Sequence, residues 1–374
     1  MAETREEAQI IINKLQQIGQ KCGLQINKQK SCILMSNTQN IPQEICNIKT
    51  VNEFKYLGVM INSGKDIFKS HKEGKIRKSK QLANMMVSVT HRSTNRLLIG
   101  KTYWKCVVLP EILYGSDNII FNSTEINQIQ KSENQAYRLI LQAPKYSANE
   151  ILRSEIGSST MDTRDKINKI SYLKHLLETE NELLSNIMKH DIERSITPFA
   201  KKINAYLNEI NINLNYIKTN KLNKIKEKIK TIDTASWKET VKNKTTLKTY
   251  LEFKNEIKEE KNIYDNTEAS NILFKTRSNT LKLNWRNRYN KDKSIQENIL
   301  CPLCKNGEET LEHFLVKCSK LQEIRKKLSN ANKENEIKKR LLCFEKEQEK
   351  VEEGKNTLLD MWKERKRKIQ ETTN

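Results

Sequence analysis

The chain has 374 residues, enough for two or three domains that each bury a core of their own. Lys and Arg number 68 against 46 Asp and Glu, a formal net charge of +22 that makes a polyanion the default partner, with plain solvation of helical surfaces as the alternative use of the charge. No signal-like succession follows Met1 and no apolar run approaches a membrane span, so the reading is an intracellular protein of nucleus or cytoplasm with no membrane partner.

In chain order, Thr4 and Glu7 have capping-box spacing, and Ala8, Ile11, Ile12, Leu15 and Ile18 recur on one face, which predicts an amphipathic helix over 4–22 ended by Gly23. "SCILMS" at 31–36 and "EFKYLGVMIN" at 53–62 read as two strands separated by a loop containing Pro42, with Gly58 allowing a sharp bend in the second. Helical periodicity takes over from about residue 65. All 10 glycines lie outside 158–306, so helices there should be long and joined through Asn, Ser and Thr. Within that stretch Leu222, Ile225, Ile229 and Ile232 share a face, with Lys221, Lys224 and Lys228 beside it. Those lysines either reach phosphates or merely solvate an outer helix. The segment after residue 325 is highly charged and expected to be helical or partly disordered. "KERKRK" at 363–368 reads either as a localisation signal or as an ordinary charged tail.

The stretch "CPLCKNGEETLEHFLVKC" at 301–318 carries the sharpest chemistry. Cys301, Cys304, His313 and Cys318 have the spacing C-x2-C-x8-H-x4-C, a donor set suited to tetrahedral zinc. Pro302 and Gly307 favour chain reversal around the first pair, and Asn306 with Glu309 marks an expected helix start that returns His313 and Cys318 to the metal. With all four positions filled by protein, the ion would be structural. Leu311, Phe314 and Leu315 supply a small apolar core. The other five cysteines (Cys22, Cys32, Cys46, Cys106 and Cys343) are scattered and read as small apolar residues.

Taken together these landmarks resemble the C-terminal part of the reverse transcriptase of a non-long-terminal-repeat, LINE-type retrotransposon. "GLQINKQKS" at 23–31 resembles the palm segment after the catalytic aspartates, and "FKYLGVMI" at 54–61 the primer-grip turn. "YWKCVVLPEILYGSD" at 103–117 resembles the thumb helix, and the Cys/His stretch a zinc knuckle. The resemblance implies that Lys30 stands where a palm lysine helps protonate leaving pyrophosphate, and that Tyr56, Leu57, Gly58 and Val59 form the turn that holds a primer end. Tyr103, Trp104, Pro110, Tyr114 and Gly115 match the thumb pattern, where packing is expected over direct contact. The implied fold is mainly α: a small α+β palm remnant at 1–62, a helical thumb at 63–200, a basic helical linker at 201–290, a zinc knuckle at 291–325 and a charged tail at 326–374.

No Asp-Asp dipeptide occurs in the chain. "MAETREEAQ" resembles the stretch just after the Tyr-x-Asp-Asp turn, so the expectation is a fragment that binds RNA or an RNA–DNA hybrid but lacks the aspartates that clamp catalytic magnesium, an ion needed only by the intact parent polymerase. The alternatives are a non-enzymatic helical protein that recruits another chain, or an inert gene fragment.

Overall fold

The first helix, α1 (Arg5–Lys21), starts where the sequence places it. The Thr4 hydroxyl accepts from the Glu7 N–H at 3.1 Å, and the Glu7 carboxylate accepts from the Glu3 N–H at 2.7 Å. Gly23 follows at φ +69°. No residue of the predicted apolar stripe is buried, and Leu15 and Ile18 are each more than half exposed, as is the neighbouring Ile10. The structure is a computed structural model that describes residues 2–36, 42–91, 95–259, 263–289, 298–329, 331 and 333–373. The expected boundary between linker and knuckle, at 290 and 291, lies outside the described residues.

The strand region is richer than its periodicity indicates. β1 (Cys32–Leu34) pairs in parallel with β3 (Ile48–Val51), which pairs antiparallel with β2 (Glu44–Ile45). The second predicted strand is a hairpin: β4 (Glu53–Tyr56) folds back on β5 (Val59–Asn62), with Phe54 opposite Ile61. Leu57 and Gly58 have φ of +46° and +86°, the two positive values that let a two-residue turn match the twist of its strands. Cys46 and Asn47, at +50° and +58°, do the same between β2 and β3, inside the span read as a loop after Pro42.

The remainder is helical. Helices hold 64% of the chain and strands 5%, so the architecture is mainly α with a small α+β part at the N-terminus, as the sequence indicates. α2 (Lys69–His91) packs along α5 (Ser123–Leu141), and between them run α3 (Arg96–Tyr103), a π turn at Trp104–Val108 and α4 (Leu109–Leu113). α6 (Asn149–Ile156) leads into α7 (Met161–Leu177), α8 (Glu182–Arg194), α9 (Pro198–Glu209), α10 (Leu214–Thr219) and α11 (Leu222–Lys242). Asn and Thr replace glycine as punctuation here, and Pro198 opens α9. Thr160, Asn181, Thr197 and Asn213 cap the starts of α7 to α10, and Ser195 and Asn211 take positive φ after α8 and α9.

Two apolar cores result. One joins residues from Ile76 to Met161 with residues from Trp237 to Met361, and the other is built from Ile170 to Ile229. α11 bridges them, burying Ile225 and Ile229 in the second core and Trp237 and Val241 in the first. Toward the C-terminus, α12 (Lys248–Leu251) and α13 (Glu268–Arg277) precede the Cys/His segment and a final helix at Gln348–Thr373. The charged tail expected after residue 325 is therefore structural: Val351, Leu358, Met361 and Arg365 share one buried face, and the helix packs on α13.

Candidate functional site

Cys301, Cys304, His313 and Cys318 converge, with one donor atom from each lying within 4.8 Å of all the others. The Cys301 and Cys318 sulfurs are 3.8 Å apart, and the Cys304 sulfur is 3.3 Å from His313 Nε2. Tetrahedral zinc with bonds of about 2.3 Å to sulfur and about 2.0 Å to nitrogen requires S···S edges of roughly 3.8 Å and S···N edges of roughly 3.5 Å. The donor set and its spacing fit that ion.

Local structure explains the convergence. The Cys301 N–H donates to Gly307 O and the Lys305 N–H to Cys301 O, both at 2.9 Å, which closes a turn with Lys305 at φ +52°. Asn306 N–H points at the Cys304 sulfur at 3.5 Å. The returning helix starts later than predicted, at Leu311, and is capped by Thr310 instead of Asn306: Thr310 Oγ1 accepts from the His313 N–H at 3.1 Å. His313–Lys317 then winds as a π turn, and the Cys318 N–H donates to His313 O at 2.9 Å. In an α-helix the fifth residue on lies about 140° around the axis, since each residue advances about 100°. The wider i→i+5 turn carries Cys318 back over His313, onto the face that meets Cys301 and Cys304.

The electrostatics differ among the four donors. The hydrogen bond between Cys301 and Cys318 pulls the Cys318 thiol down and pushes the Cys301 thiol up. Burial lowers His313 and favours the neutral imidazole that a metal requires.

Glu309 is not a cap residue. Its fully buried carboxylate receives Arg365 Nε at 2.5 Å and Nη2 at 2.7 Å, together with the Asn284 N–H at 2.7 Å. This pair fastens the Cys/His segment to the final helix, and Phe314 stacks edge-on against Trp362 at 6.2 Å. Phe314 is 1% exposed, so it packs and offers no face to a base. In the "KERKRK" run Arg365 is buried in this pair, while Lys366 meets Glu268 and Arg367 meets Glu364 and Glu371.

The β4–β5 turn forms a second feature. Tyr56 and Leu57 are exposed at its tip, Val59 is half-buried, and Gly58 lies so close to Tyr114 that a Cβ would sit 3.0 Å from the ring. Tyr114 donates its hydroxyl proton to Leu57 O at 2.6 Å. His71 supports both partners: Nδ1 accepts from the Met60 N–H at 3.3 Å and Nε2 faces Tyr114 O at 3.3 Å. A cleft of about 580 Å³ opens between the turn and Tyr114, lined also by Phe68 and Leu113. Trp104 is buried with its indole N–H on Glu133, as the packing expectation requires, whereas Tyr114 is half exposed and belongs to the cleft.

The remaining sequence candidates stand apart. Lys30 is exposed on the turn capped by Asn27, and its ammonium makes no hydrogen bond or ion pair among the described residues. Among those residues the Cys/His group is the one cluster of His, Cys, Asp or Glu close enough to share an ion. Lys221 and Lys224 are exposed at the start of α11, but Lys228 donates to Asn211 O at 2.9 Å and lies over the Tyr216 ring. Sequence reading missed Glu309, Arg365 and the rings of "NWRNRY" at 284–289; the alternation of aromatic and Arg residues there was the available signal. No known protein family, curated protein or solved structure matches the chain.

Proposed function

We propose that the chain is the gripping part of a LINE-type RNA-directed DNA polymerase, binding RNA or an RNA–DNA hybrid through its helical and knuckle segments. The observation that carries this reading is the convergence of Cys301, Cys304, His313 and Cys318 within a chain of net charge +22. The exposed β4–β5 turn adds support by presenting Tyr56 and Leu57 at the position that resembles a primer grip. In this reading zinc is held by all four side chains, leaves no position for water, and organises the fold instead of activating a substrate.

The purified chain should carry one zinc per molecule by elemental analysis, and Cys301→Ser with Cys304→Ser should release it. Fluorescence anisotropy with a labelled RNA–DNA hybrid should show affinity that falls steeply with salt, and Lys221→Ala or Lys224→Ala should each reduce the salt slope by about one unit. A zinc-free folded protein that binds neither hybrid nor RNA at low salt would overturn the proposal.

The uncovered stripe of α1 favours a second reading, a helical protein that recruits another chain through Ile10, Leu15 and Ile18. That reading requires self-association or aggregation in size-exclusion chromatography that Leu15→Lys abolishes.

A further inference from the structure

Beside the Cys/His segment two exposed tyrosines flank a half-buried Trp–Arg pair, whose tryptophan packs on the main core. Tyr146, in the loop between α5 and α6, is 59% exposed, and Tyr289 is 78% exposed. Between them lie Arg286, whose guanidinium carbon is 5.7 Å from the Tyr146 ring centre and 5.0 Å from that of Trp285, and Trp285 itself, 6.1 Å from Tyr289 at an interplanar angle of 84°. The four groups form one continuous ladder of ring, guanidinium, ring and ring.

The mounting is firm. Asn284 Nδ2 donates to Leu300 O at 2.8 Å and Asn287 Nδ2 to Asn298 O at 2.6 Å, while Arg288 pairs with Glu308. The ladder is thereby tied to both strands of the short bridge that carries Cys301. At its other end the Tyr146 hydroxyl donates to Thr280 O at 3.3 Å, and Arg286 donates to Asn279 O.

Charge separates this surface from the other basic stretches. The cations of "KERKRK" are largely engaged by carboxylates on the same or adjoining helices. Arg286, and the exposed Lys145 and Lys282 that flank the ladder in sequence, form no ion pair among the described residues. Cations without a carboxylate partner beside exposed tyrosines supply the two contacts that an unpaired strand needs, phosphate neutralisation and a stacking surface.

We infer that Tyr146, Arg286, Trp285 and Tyr289 form a stacking platform for the bases of single-stranded nucleic acid. The inference rests on the nucleic-acid reading above and specifies the ligand: a duplex keeps its base faces stacked inside, whereas a single strand can lay them on the ladder. Stacking requires no base identity, so the platform takes any sequence.

The test uses the full chain with a fluorescein-labelled oligouridine and an abasic oligonucleotide of equal length. Tyr289→Ala and Tyr146→Ala should each weaken oligouridine binding roughly ten-fold, Tyr289→Phe should bind within about two-fold of the parent, and binding of the abasic strand should not change. Both tyrosines are largely exposed, so matching melting temperatures will exclude a folding defect. Salt-dependent binding of oligouridine that neither alanine variant alters would overturn the platform and leave the nucleic-acid reading intact. An equal loss on the abasic strand would also overturn it, since the effect would not come from bases. No binding of either probe by the parent chain would overturn both.

Discussion

Replacing Arg365 by Met keeps most of the side-chain volume and strands the Glu309 carboxylate inside the protein. Arg365 and Glu309 are 6% and 0% exposed, and they meet through two parallel hydrogen bonds of 2.5 and 2.7 Å. With charge centres about 4 Å apart, the attraction is about 4 kcal/mol at the effective dielectric suited to such sites. Loss of one partner of a buried pair typically costs about 3–5 kcal/mol, because the remaining charge keeps only part of its solvation. Here the Asn284 N–H is what remains to Glu309. Urea unfolding followed by circular dichroism should register a destabilisation of about 3–5 kcal/mol for Arg365→Met, and a chromogenic chelator should strip the Cys/His segment faster than in the parent. The double variant Glu309→Gln with Arg365→Met should lose clearly less than the sum of the two single changes, since the sites share one interaction. A loss below about 1 kcal/mol for Arg365→Met, or strict additivity, would show that the pair does not fasten the Cys/His segment to the final helix.

Three further outcomes follow from the geometry. Burial alone would raise Asp265, but hydrogen bonds from Lys355, Ser270 and Thr267 outweigh it and hold the carboxyl well below the usual range; its stabilisation is therefore present above about pH 4, the unfolded value, and is lost as pH falls further. Denaturant titrations of the parent and Asp265→Asn should accordingly differ most at neutral pH, and the difference should shrink progressively as pH falls from about 4 toward the depressed folded-state value. A Cβ at Gly354 would overlap the Arg340 carbonyl oxygen where the helix at Glu334–Leu341 ends against the final helix, so Gly354→Ala should destabilise by about 1–3 kcal/mol in the same assay despite the better helix propensity of alanine. Gly58→Ala meets a positive φ and the Tyr114 ring together, and should cost about 1 kcal/mol or more while raising hydrogen exchange at Met60, whose amide is held by His71.

The sequence by itself determined what short spacing encodes. Thr4 with Glu7, the apolar rows of α1 and α11, and the Cys/His cluster of 301–318 were legible because each is written in a short stretch of chain, where backbone geometry leaves few choices. The Asn and Thr caps of a glycine-free stretch belong to the same class, since a cap acts on amides three residues away. Periodicity read 53–62 as one bent strand, because Leu57-Gly58 lacks the Asn-Gly or Asp-Gly pair that announces a hairpin; the turn at 56–59 entered through the resemblance alone. The role of the final helix escaped for a different reason. Its charges look like those of any solvated tail until the chain path sets Arg365 against Glu309, 56 positions earlier, and Trp362 against Phe314. Only the tertiary structure decides which charges are buried in ion pairs, as at Arg365, and which lie against rings with no carboxylate partner, as at Arg286. Burial and partner choice depend on segments brought together from far along the chain, and local periodicity holds no record of that distance.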